Sequence, residues 1–172
     1  MTAAPQPIDP IIRACQPAEL DTLAALARHI WQHHYPAMIS RAQIDYMLAQ
    51  RYSHPVLLAA LEAPHHWLDG LWLNGQMAGF VHYCLQPDSV MKLEKLYLDP
   101  HWHGQGLGSQ LLQYVAARSR QQDCTRLSLA VNKQNHLALQ AYRRNGFVVA
   151  ESVCQPIGEG FVMDDYLMQL HL

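Results

Sequence analysis

The residues of this chain with the plainest capacity for chemistry run from Leu96 to Ser109, Leu96-Tyr97-Leu98-Asp99-Pro100-His101-Trp102-His103-Gly104-Gln105-Gly106-Leu107-Gly108-Ser109. There an apolar strand pattern passes through a short loop into a glycine-rich helix start. Glycines without Cβ atoms let the backbone approach an anion closely. The unpaired N–H groups of a first helical turn point at that anion along the positive end of the helix dipole. A diphosphate is the guest such a turn suits. Spacing separates the motifs that hold one. A P-loop needs a lysine after its glycines, and none stands here. A dinucleotide fingerprint needs G-x-G-x-x-G near the start of a βαβ unit, whereas these glycines alternate as G-x-G-x-G behind antiparallel strands. Asp123 falls about where a ribose-binding acid would, but it precedes the next strand instead of ending it. Taken alone, the glycines also fit a tight turn that holds nothing.

A second constellation follows downstream. At ~100° per residue Asn135, Ala138 and Tyr142 fall within about 60° of one helix face, so an amide, a small gap and a phenol stand in a row. Together the two motifs resemble those of the GNAT superfamily of acetyl-CoA-dependent N-acetyltransferases, over nearly the whole chain from Ile11. In that family the first motif reads [QR]-x-x-G-x-[GA]. It is met here from His103 to Gly108, except that His103 replaces the usual Gln or Arg. The second, N-x-x-A-x-x-x-Y-x-x-x-G-F, is met by Asn135, Ala138, Tyr142, Gly146 and Phe147. The resemblance implies an α/β fold with a central mixed sheet and helices on both faces, and acetyl-CoA as co-substrate. It also implies that the backbone of Leu96, Tyr97 and Leu98 lies along the pantetheine arm. Amides of Gly104, Gln105, Gly106, Leu107, Gly108 and Ser109 would hold the pyrophosphate. A histidine at position 103 keeps any backbone contact; if the side chain contributes charge, binding becomes pH-sensitive near ~6.5.

Acyl transfer from a thioester to an amine needs a neutral nucleophile, a stabilised oxyanion and a proton for the departing thiolate. The resemblance assigns Tyr142 to the thiolate side, and a phenol of pKa ~10 suits a proton donor; without the motif Tyr142 reads as an aromatic packed on the sheet. Glu94 is the candidate base, directly or through water, because period-two alternation puts it on one face with Leu96 and Leu98. A strand-face carboxylate paired with Lys92 or Lys95 is the competing reading. By the same resemblance His33, His34 and Tyr35 line the acceptor pocket, where otherwise they are an exposed loop. The stretch Phe161 to Tyr166 resembles the family's closing strand. In it Asp164 and Asp165 attract a cationic acceptor or are simply surface carboxylates.

The elements that must position these groups follow from apolar periodicity. Ile11 to Cys15 reads as a strand, and Leu20, Leu23, Leu26, Ile30 and Trp31 as a helix opened by Pro17. A break from His33 to Ile39 precedes a second helix marked by the S-x-x-Q capping pattern of Ser40 and Gln43. Residues 51 to 64 stay ambiguous. Two apolar runs, His66 to Leu73 and Met77 to Leu85, flank Asn74-Gly75 as a hairpin. Val90 to Leu98 is a third strand. Gly106 to Arg120 is a helix, Arg126 to Val131 a strand, and Asn135 to Arg144 a helix stopped at Asn145-Gly146. Phe147 to Val153 and Phe161 to His171 close the chain as strands, the latter an edge strand available for a homodimer. The alternation predicts a mixed sheet with helices on its faces.

Bulk composition bounds the rest. The 172 residues suit one domain, 11-172, behind a loose leader, 1-10. A net charge of -2 gives no electrostatic grip on nucleic acid or an anionic membrane. Neither a secretion signal nor an apolar run near ~20 residues is present. Cys15, Cys84, Cys124 and Cys154 form no CxxC pair, which fits unlinked thiols in the cytoplasm and direct transfer in a ternary complex rather than through acetyl-cysteine. The 11 histidines form no HExxH set, so no metal is expected. The sequence reading is therefore an N-acetyltransferase acting on a primary amine of a small molecule or peptide: a polyamine, amino acid, drug-like amine or peptide N-terminus. Its competitors are a non-catalytic acyl-CoA sensor on the same fold and a dinucleotide-binding oxidoreductase.

Overall fold

The computed structural model describes residues 9–172; the leader expected over 1-10 lies almost wholly outside them. A first strand, β1 (Ile11–Ala14), leads through a 3-10 turn (Pro17–Glu19) into α1 (Leu20–His34), α2 (Arg41–Tyr52) and α3 (His54–Glu62). Then come β2 (His66–Leu73), β3 (Gln76–Gln86), β4 (Val90–Leu98), α4 (Leu107–Gln121), β5 (Arg126–Asn132), α5 (His136–Arg144), β6 (Val148–Gly158) and β7 (Phe161–His171). The seven strands form one sheet in the order β1-β2-β3-β4-β5-β7-β6. Only β4 and β5 pair in parallel.

The helices follow from local chemistry. In α1 the buried residues Leu20, Leu23, Ala27, Ile30 and Trp31 recur every three or four positions and so face the sheet together. Ser40 caps α2 by accepting the Gln43 N–H at 3.1 Å. The reciprocal half of the expected capping box is missing, because the Gln43 amide donates to the Val162 carbonyl at 2.8 Å and ties α2 to β7. The ambiguous stretch is the end of α2 and all of α3, separated by Ser53 alone. At the hairpin Asn74 (φ 50°) and Gly75 (φ 77°) adopt the left-handed conformation that a two-residue turn demands.

The sheet separates two cores. On one face α4 buries Leu107, Leu111, Leu112 and Val115 against Met91, Leu93 and Leu127, with Leu139 and Phe147 closing that side. On the other, α1, α2 and α3 bury Leu23, Ile30, Ile44, Leu48 and Leu57 against Leu68 and Phe80.

Two irregularities in the sheet shape the site. Parallel pairing between β4 and β5 spans only Val90 to Leu93 against Arg126 to Leu129, after which β4 runs to Leu98 without a partner on that side. The strands therefore part, and the backbone groups of the last β4 residues on that edge lack a ladder. The register against β3 also shifts: Leu93 pairs with Tyr83 and Lys95 with His82, leaving Glu94 as a bulge.

Three sequence expectations need correction. The bulge resets the alternation, so Leu96 and Leu98 join the α4 core, while Glu94 lies with Lys92 and Cys84 and does not share their face. His33 and His34 belong to the last turn of α1, and the break begins at Tyr35, because nothing in their chemistry stops a helix. The strand Phe161–His171 is not an edge: β7 pairs with β5 on one side and β6 on the other. The free edge at that end of the sheet is β6, and β7 offers no open edge for strand pairing with a second copy.

Candidate active site

One cavity of about 700 Å³ opens where β4 and β5 part. It runs from the glycine turn, past the ends of those strands, to a chamber under α1 and α2. Along its wall lie Leu96, Tyr97, Leu98, His103, Gly104, Gly106, Leu107, Gly108 and Ser109, together with Asn135, Ala138 and Tyr142. The cavity thus collects every expected coenzyme residue except Gln105, which is exposed on the turn.

At the glycine turn, Gly104 (φ 76°) and Gly106 (φ 78°) are left-handed, and Gly106 precedes the first turn of α4. A Cβ placed on Gly104, Gly106 or Gly108 meets no protein atom within 4 Å. The glycines therefore relieve no internal clash: they leave open space in front of the α4 N–H groups, which fits a diphosphate. His103 Nε2–H donates to the Leu98 carbonyl at 3.1 Å, which fastens the end of β4 to the turn. Ser109 Oγ accepts from the Asn145 side-chain amide at 3.1 Å and holds α4 to the end of α5.

Asn135 caps α5, its Oδ1 accepting the Ala138 N–H at 3.2 Å. The same oxygen accepts from His34 Nε2 at 3.2 Å, joining α1 to α5 across the chain. Burial holds His34 below the ordinary histidine pKa, against the pull of its Asn135 hydrogen bond. Tyr142 packs on Phe147 with ring centroids 5.7 Å apart, and its hydroxyl donates to no described group. Burial, with the neighbouring Tyr97 adding, raises the Tyr142 pKa well above that of free tyrosine, so the phenol keeps its proton at neutral pH.

The chamber beyond is aromatic and charged. Trp31, Tyr35 and Tyr97 line it and pack with Tyr52 in tilted and edge-on contacts, and the Tyr35 and Tyr97 hydroxyls meet at 3.2 Å. Glu94 accepts from Lys92 Nζ at 2.9 Å. Burial alone would raise its carboxyl, but the Lys92 hydrogen bond and charge outweigh that and hold it below the usual value. Burial, reinforced by Arg51, lowers Lys95 to about 8. Lys95 Nζ lies 3.5 Å from His82 Nδ1, and His82 Nε2 lies 3.0 Å from His66 Nδ1. Burial and then Lys95 press His82 to about 3, so it is neutral.

The remaining acceptor-side expectations divide. His34, Tyr35 and Asp165 line the cavity; His33 and Asp164 do not. His33 is exposed and lies against His29, and Asp164 pairs with Lys133 outside. Arg51 and Lys95 face the chamber and were missed as site residues. Arg51 fell in the ambiguous stretch, and Lys95 was weighed only as a partner for Glu94. Their sequence neighbours gave no signal, since Arg51 follows Gln50 and Lys95 follows Glu94.

Asp165 is 5% exposed. Burial pushes its carboxyl above the ordinary aspartate value, with Arg51 pulling the other way. A raised folded pKa means that the folded state binds the proton more tightly than the unfolded chain, so stability falls as pH rises from ~3.9 through the folded value. Asp165→Asn is therefore expected to be more stable than the parent protein in urea at about pH 7, with the gain shrinking toward about pH 4. A loss of stability at neutral pH would contradict this.

Among the described residues no cluster of His, Cys, Asp and Glu is arranged to hold a metal ion. No helix there is long and apolar enough to cross a membrane.

Comparison with known proteins matches residues 23–147 to the model of the acetyltransferase (GNAT) family. A spermidine N(1)-acetyltransferase of Thermoplasma acidophilum is 26% identical over 157 residues, covering 89% of this chain and 94% of its own. Among solved structures, a PaiA N-acetyltransferase of Thermoplasma acidophilum in complex with coenzyme A superposes with a TM-score of 0.84 at 22% identity, over 96% of this chain and 100% of that one. The ribosomal-protein-S18-alanine N-acetyltransferase of Escherichia coli gives a TM-score of 0.69 at 22% identity, over 95% of this chain and 94% of its own.

Proposed function

The chain belongs to the acetyltransferase (GNAT) family, and from that premise we propose that it moves the acetyl group of acetyl-CoA directly to a primary amine of a small molecule, with both substrates bound at once. One observation carries this reading: a single cavity joins the glycine turn to the charged, aromatic chamber, giving donor and acceptor adjoining places. The spermidine N(1)-acetyltransferase among the relatives supports a small amine over a peptide.

In this reading the α4 amides take the diphosphate, and the unpaired edge of β4 from Leu96 to Leu98 takes the pantetheine arm. The amine nitrogen forms its bond to the acetyl carbon as the carbon–sulfur bond breaks; Tyr142 gives its proton to the departing thiolate, and the proton that the nitrogen sheds on becoming an amide restores Tyr142. Burial raises the Tyr142 pKa, so the tyrosinate left behind takes up the nitrogen's proton readily. Glu94, held low by Lys92, is too weak a base to retain a proton from an amine of pKa ~10.4; it passes that proton through water toward solvent. Among the described residues no cysteine lines the cavity. Burial also raises Cys15 to about 12 and lifts Cys84, so both resist forming the thiolate that an acetyl-cysteine route needs.

The test is a panel of primary amines incubated with acetyl-CoA, with free thiol as the readout and both substrates varied. Amine-dependent thiol release with intersecting double-reciprocal lines is expected. Parallel lines would contradict direct transfer, and acetyl-CoA binding without turnover on any amine would favour a non-catalytic sensor.

A further inference from the structure

The charges in the acceptor chamber do not match a purely cationic guest. The Lys, Arg, Asp and Glu side chains that line the cavity are Arg51, Lys92, Lys95, Arg144, Glu94 and Asp165. Lys92 and Glu94 satisfy each other at 2.9 Å. Among the described residues neither Arg51 nor Lys95 has a carboxylate within 4.0 Å. Arg51 reaches only the Met163 sulfur, at 3.9 Å. The nearest polar contact of Lys95 is the neutral His82, and its ammonium lies over the Tyr52 ring at 5.3 Å.

Two half-buried cations with no carboxylate in direct contact gain from a ligand that supplies one. A guanidinium fork beside an ammonium is the arrangement that receives a carboxylate. A polyamine would bring several more positive charges into a chamber whose cations already outnumber its carboxylates. Asp165, the remaining acid, balances one ammonium and no more.

We infer that the acceptor is an amine that also carries a carboxylate, an amino acid or a close relative of one, with its acid group received by Arg51 and Lys95 and its ammonium drawn toward Asp165. This inference rests on the acetyltransferase reading above and sharpens its substrate class.

Matched acceptors test it: lysine against cadaverine, β-alanine against ethylamine, and spermidine alongside, each assayed by thiol release from acetyl-CoA. The carboxylate-bearing member of each pair is expected to be used at least about tenfold better in kcat/KM, the worth of one charge-assisted contact. Arg51→Gln should erase that preference mainly through KM, while Arg51→Lys keeps part of it. Circular dichroism and coenzyme A affinity would confirm that both variants are folded. Preference for cadaverine, ethylamine or spermidine, or a preference for the acids that survives in Arg51→Gln, would overturn the inference while leaving an N-acetyltransferase intact. Acetyl-CoA binding without turnover on any of these amines would overturn both.

Discussion

Gly106→Asp is expected to lower coenzyme A affinity by at least about a hundredfold while leaving the protein folded. Gly106 has φ 78° and stands directly before α4, and a Cβ there points into space free of protein atoms within 4 Å. A carboxylate in that space would sit in front of the N–H groups of the first α4 turn and repel a diphosphate. Loss of two charge-assisted hydrogen bonds, each ~1.5–3 kcal/mol, accounts for the size of the effect. The left-handed conformation costs a non-glycine residue roughly 1–2 kcal/mol, and Asp tolerates it better than most, which a domain stable by ~5–15 kcal/mol survives. Gly75→Asp is the control. Its φ of 77° and its empty surroundings are the same, but it lies in the β2–β3 hairpin, so it should carry the backbone cost and bind coenzyme A normally. Titration calorimetry on both variants decides the matter; equal affinities would contradict the placement of the diphosphate.

Tyr142→Phe should slow turnover by about a hundredfold or more, the range for removing a positioned general acid, while acetyl-CoA affinity stays within about twofold. The phenol lies in the cavity wall, donates to no described group, and is kept protonated by its burial. Its loss removes a proton source without unpairing any buried partner. The substitution also leaves the ring against Phe147, so packing is retained. Stopped-flow thiol release with saturating amine would report the step. An unchanged rate would remove Tyr142 from the chemistry and return it to a packing role.

What was legible in the sequence was what local backbone chemistry determines. The glycine turn, the Asn74-Gly75 hairpin and the Ser40 cap each depend on conformations or hydrogen bonds within a few residues, and each stands where its pattern placed it. Apolar periodicity likewise found the buried faces of α1 and α4. Features that depend on distant strands were not legible. The bulge at Glu94 arises from pairing with His82 and Tyr83, and without it period two assigns Glu94 to the wrong face. The insertion of β7 between β5 and β6 is a matter of topology, which a terminal strand pattern does not encode. Asp164 and Asp165 looked alike as neighbours, yet strand alternation sends one to Lys133 and the other into the cavity. Arg51 became a site residue only when α2 packed over the chamber, where the tertiary fold supplies the neighbours that give its charge meaning.

The most direct measurement is a crystal structure of the protein with coenzyme A. The account predicts diphosphate oxygens within about 3 Å of backbone N–H groups between Gly104 and Ser109, with the pantetheine chain beside Leu96 and Leu98 and its sulfur turned toward Tyr142. Coenzyme A bound elsewhere, with the space before α4 filled by protein or solvent alone, would contradict it.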